Sequence, residues 1–121
     1  MFLATSNKSR GLLYISYIQD VQADDLRGAV EDVAKLLADL PSGFRLLADL
    51  SQLTSMAVDC APEIGRLMEL LDRSGVSMVV RVIPAPSKDI GMNILMLFHY
   101  RQQPRVVTCV NLTEAAQHLA L

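Results

Sequence analysis

The segment from Phe44 to Leu71 constrains the fold more than any other part of the chain. It begins with a short apolar run that ends at Asp49, continues through a polar stretch, and passes into a segment with one apolar face. The run is too short for a helix, and its flanks favour a buried strand. Pro62 suits the first turn of a helix, and the apolar residues after it recur at helical spacing. The segment therefore predicts a strand, a loop and an amphipathic helix.

The rest of the chain predicts further strands and helices. Strands are predicted at 2–6, 12–18, 44–50, 76–83 and 105–110, and helices at 23–40, 62–73, 87–100 and from 111 onward. Polar residues and Gly11 between the first two strands predict an antiparallel hairpin, and the later alternation predicts parallel strands with right-handed crossovers. We therefore expect a single α/β domain over residues 1–121. It should have two or three layers, about four helices, and a mixed, mostly parallel five-stranded sheet.

Composition narrows the class of protein. The 11 Lys and Arg against 13 Asp and Glu leave a net charge of −2, so no basic field for nucleic acid is expected. No stretch approaches the roughly 18 apolar residues of a membrane span, and the N-terminus lacks a signal sequence, which predicts a soluble cytoplasmic protein. The two cysteines, Cys60 and Cys109, have no ligand-spaced neighbours, so neither a disulfide nor a metal site is predicted.

Two charged residues are candidates for a site. Asp49 lies at the carboxyl end of a predicted parallel strand, where open α/β sheets place their ligands, but Asp49 and Ser51 equally suit capping of the loop backbone. Arg81 is a charge in an otherwise apolar strand. Either it pairs with a carboxylate such as Asp49 or Asp59, or its side chain reaches water from the strand end. The sequence leaves both pairs of alternatives open.

Cys60 precedes the predicted helix start. A helix N-terminus stabilises a thiolate, which predicts a lowered pKa and a reactive thiol. Cysteine is also among the residues most often buried, so a small inert side chain that fills the loop is the alternative.

The segment 87–100 offers two more candidate sites. A helix that begins near Ser87, with Asp89 in its first turn, would let Ser87 and Lys88 contact an anion, although ordinary capping explains the same residues. The helix would be apolar almost all round, which indicates a subunit interface or an apolar ligand. The residues concerned are Met92, Leu95, Met96 and Phe98.

The order of these elements resembles the STAS domain, a family that includes anti-sigma-factor antagonists and cytoplasmic domains of sulfate transporters. The resemblance lies in Asp49-Leu50-Ser51, in 75–80 and in 112–116. The stretch 80–100 looks like a branch of small bacterial STAS-like proteins whose activity is unassigned. In regulatory members, a Ser or Thr after an Asp in the loop is phosphorylated. Here the matching place reads Asp59-Cys60-Ala61-Pro62, so a thiol replaces that hydroxyl.

The resemblance implies a non-enzymatic regulatory module that binds a protein partner or forms a homodimer, without a cofactor and without the usual phosphorylation switch. Its loop would carry the binding residues, which are Asp49, Ser51, Thr54, Ser55, Asp59 and Cys60. One alternative is a small carrier of an apolar ligand or lipid, because STAS-like sheets are similar in layout to the CRAL-TRIO lipid-binding fold. A third hypothesis is a redox switch at the Cys60 thiol.

Overall fold

The structure, a computed structural model, describes residues 1–83, 89–90 and 105–120. The strands in these residues are β1 (Phe2–Asn7), β2 (Leu12–Tyr17), β3 (Gln19–Val21), β4 (Arg45–Asp49), β5 (Leu53–Met56), β6 (Met78–Val82), β7 (Asp89–Ile90) and β8 (Arg105–Cys109). The α-helices are α1 (Ala23–Arg27), α2 (Ala29–Leu37), α3 (Ala61–Arg73) and α4 (Leu112–Leu119). None of these described helices is long and apolar enough to cross a membrane.

The main sheet has five strands in the order β1-β2-β4-β6-β8. Strands β1 and β2 are antiparallel, and the other neighbouring pairs are parallel. This arrangement confirms the predicted α/β class, the mixed sheet and the N-terminal hairpin. The hairpin turn is held by Asn7, whose side-chain oxygen accepts a hydrogen bond from the Arg10 N–H at 3.2 Å. Gly11 then takes a left-handed φ of 57°, which costs least for a residue without a Cβ.

Helices cover both faces of the main sheet, so the described part of the chain has three layers. Helices α1 to α3 pack on one face, where Leu13, Leu46 and Val79 lie in register across three strands. Helix α4 packs on the other face through Ala115 and Leu119, against the buried side chains of neighbouring strands. Because successive residues of a strand point to opposite faces, strands covered on both sides are apolar almost throughout.

The helix predicted at 23–40 is divided in the structure. Gly28 ends α1 and precedes α2, and glycine is the poorest helix former after proline. Helix α3 begins as predicted, with Pro62 in its first turn. Helix α4 also begins as predicted, because the Asn111 side chain accepts a hydrogen bond from the Glu114 N–H at 2.8 Å.

A second, three-stranded sheet in the order β3-β5-β7 was not predicted. Its strands β3, β5 and β7 follow β2, β4 and β6 in the chain. The second sheet therefore continues from the carboxyl ends of these three strands of the main sheet. The predicted loop at 51–62 therefore contains β5, which lies between two parallel partners. The prediction of a helix from Ser87 is wrong at its start, because Asp89–Ile90 form β7. Strands β5 and β7 form because their backbones hydrogen-bond to strands distant in the chain. Local capping patterns carry no information about such pairing.

Candidate functional site

A buried carboxylate marks the carboxyl end of β4. Asp49 is completely buried, at 0 % exposure. The Tyr14 hydroxyl donates to its Oδ2 at 3.0 Å, and the backbone N–H of Ser51 donates to its Oδ1 at 2.9 Å. Both carboxylate oxygens therefore have donors, which offsets the cost of removing the charge from water. The bond to Ser51 is the capping contact with the loop backbone that the sequence allowed.

Tyr14 belongs to the same cluster, and the sequence did not point to it. Burial raises the pKa of Tyr14, and the charge of Asp49 and its hydrogen bond raise this pKa further. A hydrogen bond with Ser16, a buried residue on the same strand β2, lowers the pKa of Tyr14 by a smaller amount. The cluster therefore holds a neutral phenol against a buried carboxylate.

Cys60 is buried at the start of α3. Its side chain is 0 % exposed, and its Sγ donates to the Val21 carbonyl oxygen at 3.5 Å. Burial raises the pKa of this thiol, and the charge of Asp59 raises it further. The lowered pKa predicted from the position before a helix is therefore wrong, because desolvation of the thiolate outweighs the helix N-terminus. The structure favours the alternative of an inert side chain.

The other loop residues have different surroundings. Thr54 and Asp59 are exposed, whereas Ser55 is half-buried. The Ser55 hydroxyl donates to Asp20 Oδ1 at 2.6 Å and so joins β5 to β3. The Gln22 side-chain amide also donates to Asp20, and these two bonds lower the pKa of Asp20. The loop is thus held by side-chain bonds as well as by the second sheet.

Arg81 lies on β6 and contacts the next strand. Its Nε donates to Thr108 Oγ1 on β8 at 2.8 Å. In the β4–β6 register Arg81 is paired with Ala48, one residue before Asp49. The side chains of Arg81 and Asp49 therefore point to opposite faces of the sheet, which rules out the ion pair between them that was one alternative.

Several predicted residues lie outside the described residues. They are Ser87 and Lys88 of the anion contact, and Met92, Leu95, Met96 and Phe98 of the interface or apolar-ligand site. Their roles stay predictions.

A groove of about 380 Å³ lies between β1 and α2. Its lining residues are Phe2, Leu3, Ala4, Asp32, Lys35 and Leu36. The lining includes a carboxylate and an ammonium, whereas carrier cavities are mainly apolar.

Three residues near the C-terminus form a group that the sequence interpretation missed. The ligand atoms of Cys109, Glu114 and His118 all lie within 4.8 Å of one another. Cys109 is buried at the end of β8, Glu114 is half-buried in the first turn of α4, and His118 is exposed one turn later. Burial raises the pKa of Cys109, and the nearby charge of Glu114 adds to this effect. The spacing of Glu114 and His118 was the available signal, because residues four apart share a helix face.

Comparison with solved structures identifies the fold. The anti-sigma factor antagonist SpoIIAA in its unphosphorylated form matches with a TM-score of 0.62 and 13% identity, over 99% of this chain and 98% of that chain. The chain has a SpoIIAA-like fold. An uncharacterised protein of the DUF3478 family from Shewanella loihica, also with a SpoIIAA-like fold, matches with a TM-score of 0.69 and 12% identity. That match covers 98% of this chain and 93% of the other chain.

These matches confirm, at the level of fold, the resemblance to the STAS domain. No family model matches the sequence, and no curated protein matches it either. At identities of 13% and 12%, these matches show the fold but not the roles of individual residues. The function of the SpoIIAA-like fold in this chain therefore has to be argued from its own side chains.

We expect the protein to lose stability as the pH rises above about 9. The ordinary pKa is 9.0 for Cys60 and Cys109 and 10.0 for Tyr14, and all three values are raised in the folded state. The unfolded chain then releases these protons first, so the stability present below the ordinary values is lost as the pH rises above them. Each buried thiol contributes a slope of up to about 1.4 kcal/mol per pH unit.

Urea unfolding between about pH 7 and pH 10 measures this slope. The double variant Cys60→Ala with Cys109→Ala should give a shallower slope than the wild type, because two of the three groups are absent. A wild-type free energy of unfolding that does not change over this range would contradict the expectation.

Proposed function

We propose that this protein is a non-enzymatic regulatory module that binds another protein through the loop 51–62 and the start of α3. One observation carries the proposal. The reactive groups of this region, Asp49 and Cys60, are buried and hydrogen-bonded, while Thr54, Val58 and Asp59 are exposed on an ordered backbone. Such a surface offers contacts to a partner, whereas the Asp49 carboxylate and the Cys60 thiol are covered and already bonded within the chain.

The backbone of this loop is held before any partner arrives. Strand β5 pairs with β3 on one side and with β7 on the other. Leu53 and Met56 anchor it in the core, at 0 % and 5 % exposure. A segment that is already ordered loses less conformational entropy on binding, which favours its use as a recognition surface.

Val58 supplies the apolar part of this surface. It lies in a 3-10 turn directly before α3, and the residue is 74 % exposed. Covering its side chain would contribute about 1 to 2 kcal/mol to binding through the hydrophobic effect. Polar Thr54 and charged Asp59 nearby would then select the partner.

The proposal includes no phosphorylation switch at position 60. A kinase has to reach the side chain that it modifies, and Cys60 is fully buried and bonded to Val21. The likeness in fold to SpoIIAA, an anti-sigma factor antagonist, supports a regulatory protein contact without transferring that protein's partner.

We further propose a cytoplasmic location and self-association as a homodimer. Cys60 and Cys109 are free thiols, which suits a reducing compartment. Size-exclusion chromatography with light scattering tests self-association. A mass equal to one chain at high concentration would contradict the homodimer but not the contact with another protein.

Affinity capture from the source cells tests the contact surface. We expect the variant Val58→Asp to capture at least about tenfold less of the partner than the wild type, because a charge replaces an apolar side chain that the partner covers. The matched control is Leu3→Asp, which makes the same kind of change on β1 at a residue that is 49 % exposed. Both positions are exposed, so both variants should fold. Equal capture by the wild type and by Val58→Asp would contradict the proposed surface.

A further inference from the structure

We propose that Cys109, Glu114 and His118 bind a divalent transition-metal ion, with Zn²⁺ as the best fit. The proposal rests on the mutual separation of their ligand atoms, which lie within 4.8 Å of one another. It is independent of the proposed protein contact at loop 51–62.

The donor set selects the metal. A thiolate, an imidazole and a carboxylate together suit Zn²⁺, whereas Mg²⁺ and Ca²⁺ bind oxygen ligands. Around a tetrahedral zinc ion, neighbouring ligand atoms are about 3.5 Å apart, as follows from bonds of about 2.0 to 2.3 Å. The observed separations of up to 4.8 Å have to shorten by at most about 1.3 Å, which rotation of the Glu114 and His118 side chains can supply. Three protein ligands leave a fourth position for water or another ligand.

The fold holds these residues on two anchored elements. At the end of β8, the Cys109 carbonyl oxygen accepts a hydrogen bond from the Ile83 N–H at 3.3 Å. At the start of α4, the Asn111 side chain fixes the backbone of Glu114. At the other end of α4, Arg45 Nη1 donates to the Leu119 carbonyl oxygen at 2.7 Å. Ligands on fixed elements lose little freedom when they bind a metal.

The charges of the group also favour a cation. Glu114 lies in the first turn of α4, where the helix contributes a partial positive charge of about half a unit. The carboxylate and a metal-bound thiolate contribute two full negative charges at closer range. The attraction from the ligands therefore exceeds the repulsion from the helix N-terminus.

If the three residues have only a structural role, a different experimental result is expected. Glu114 and His118 could form only a helix-surface pair, with Cys109 as a core residue. In that case no metal would contact the Cys109 sulfur. A spectroscopic signal from the sulfur–metal bond therefore separates the two roles.

The test is a titration of the full chain with Co²⁺ alone under reducing conditions, followed by competition with Zn²⁺. We expect a thiolate-to-cobalt charge-transfer absorption at one Co²⁺ per chain, displaced by Zn²⁺. The exposed position of His118 makes His118→Gln the safest variant, and it should weaken Zn²⁺ binding by at least about 100-fold. Cys109→Ser should abolish the charge-transfer band.

The chain contains one other cysteine and one other histidine, which supply matched controls. The variants Cys60→Ala and His99→Gln should bind both metals as the wild type does. The proposal is overturned if the wild type shows no charge-transfer band, if His118→Gln binds Zn²⁺ as tightly as the wild type, or if either control abolishes binding.

Discussion

Replacing Phe44 with alanine is expected to lower the free energy of unfolding by about 3 to 5 kcal/mol. Phe44 is one of the largest fully buried side chains of the described residues, at 2 % exposure, and it belongs to the core between the main sheet and helices α1 to α3. The substitution removes the transfer free energy of the ring and leaves a cavity beside it. The free energy of unfolding of a native protein is about 5 to 15 kcal/mol in total, so the variant would be close to unfolding.

Urea unfolding of Phe44→Ala measures this loss, and Phe2→Ala is the matched control. Phe2 is only partly buried on the edge strand β1, where its ring packs edge-on against Tyr17 with the ring centroids 5.3 Å apart. Its truncation leaves an opening to solvent rather than an internal cavity, so we expect a loss of about 1 to 2 kcal/mol. Equal losses in the two variants would show that Phe44 does not lie in the core as described.

Replacing Asp49 with alanine is expected to cost about 2 to 3 kcal/mol. The change removes the acceptor for the Tyr14 hydroxyl and for the Ser51 N–H. Without this acceptor, the buried donors lose their hydrogen bonds to water on folding and gain no bond in the protein, which destabilises the folded state. Asp49→Asn keeps an acceptor oxygen and nearly the same volume, so a smaller loss of about 1 kcal/mol is expected.

A double-mutant cycle isolates the contact between Asp49 and Tyr14. Tyr14→Phe removes one donor to a buried carboxylate and should cost about 1.5 to 3 kcal/mol. Because the two side chains share one hydrogen bond, the double variant Asp49→Ala with Tyr14→Phe should cost less than the sum of the two single changes. Strict additivity in urea unfolding would contradict the described contact.

The site could be predicted from the sequence only in part. The position of Asp49 at a strand end follows from local patterns, because an apolar run and a turn define that end. Its partner Tyr14 comes from β2, and nothing local joins the two residues. For Cys60 the sequence left a lowered pKa and a buried, inert side chain as alternatives, and it could not decide between them for the same reason. The helix start is local, whereas the burial that raises this pKa comes from packing around the side chain.

The group of Cys109, Glu114 and His118 shows the same limit. The spacing of Glu114 and His118 on a helix is visible in the sequence, but the separation of all three ligand atoms depends on how α4 turns back beside β8. Common zinc motifs place their ligands at short, regular spacings, so a set divided between a strand and a helix gave no pattern to read.

The amino-acid sequence was enough to predict the hairpin, the strand that ends at Asp49, helix α3 after it, and the mixed five-stranded sheet. These follow from hydrophobic periodicity, caps and turn residues, which act over a few positions. Tertiary packing was needed to show that part of the 51–62 loop is a strand of a second sheet, that Cys60 is buried, and that Asp49 contacts Tyr14. Strand pairing and the desolvation of a side chain both depend on residues far apart in the chain, so patterns over a few positions do not contain them.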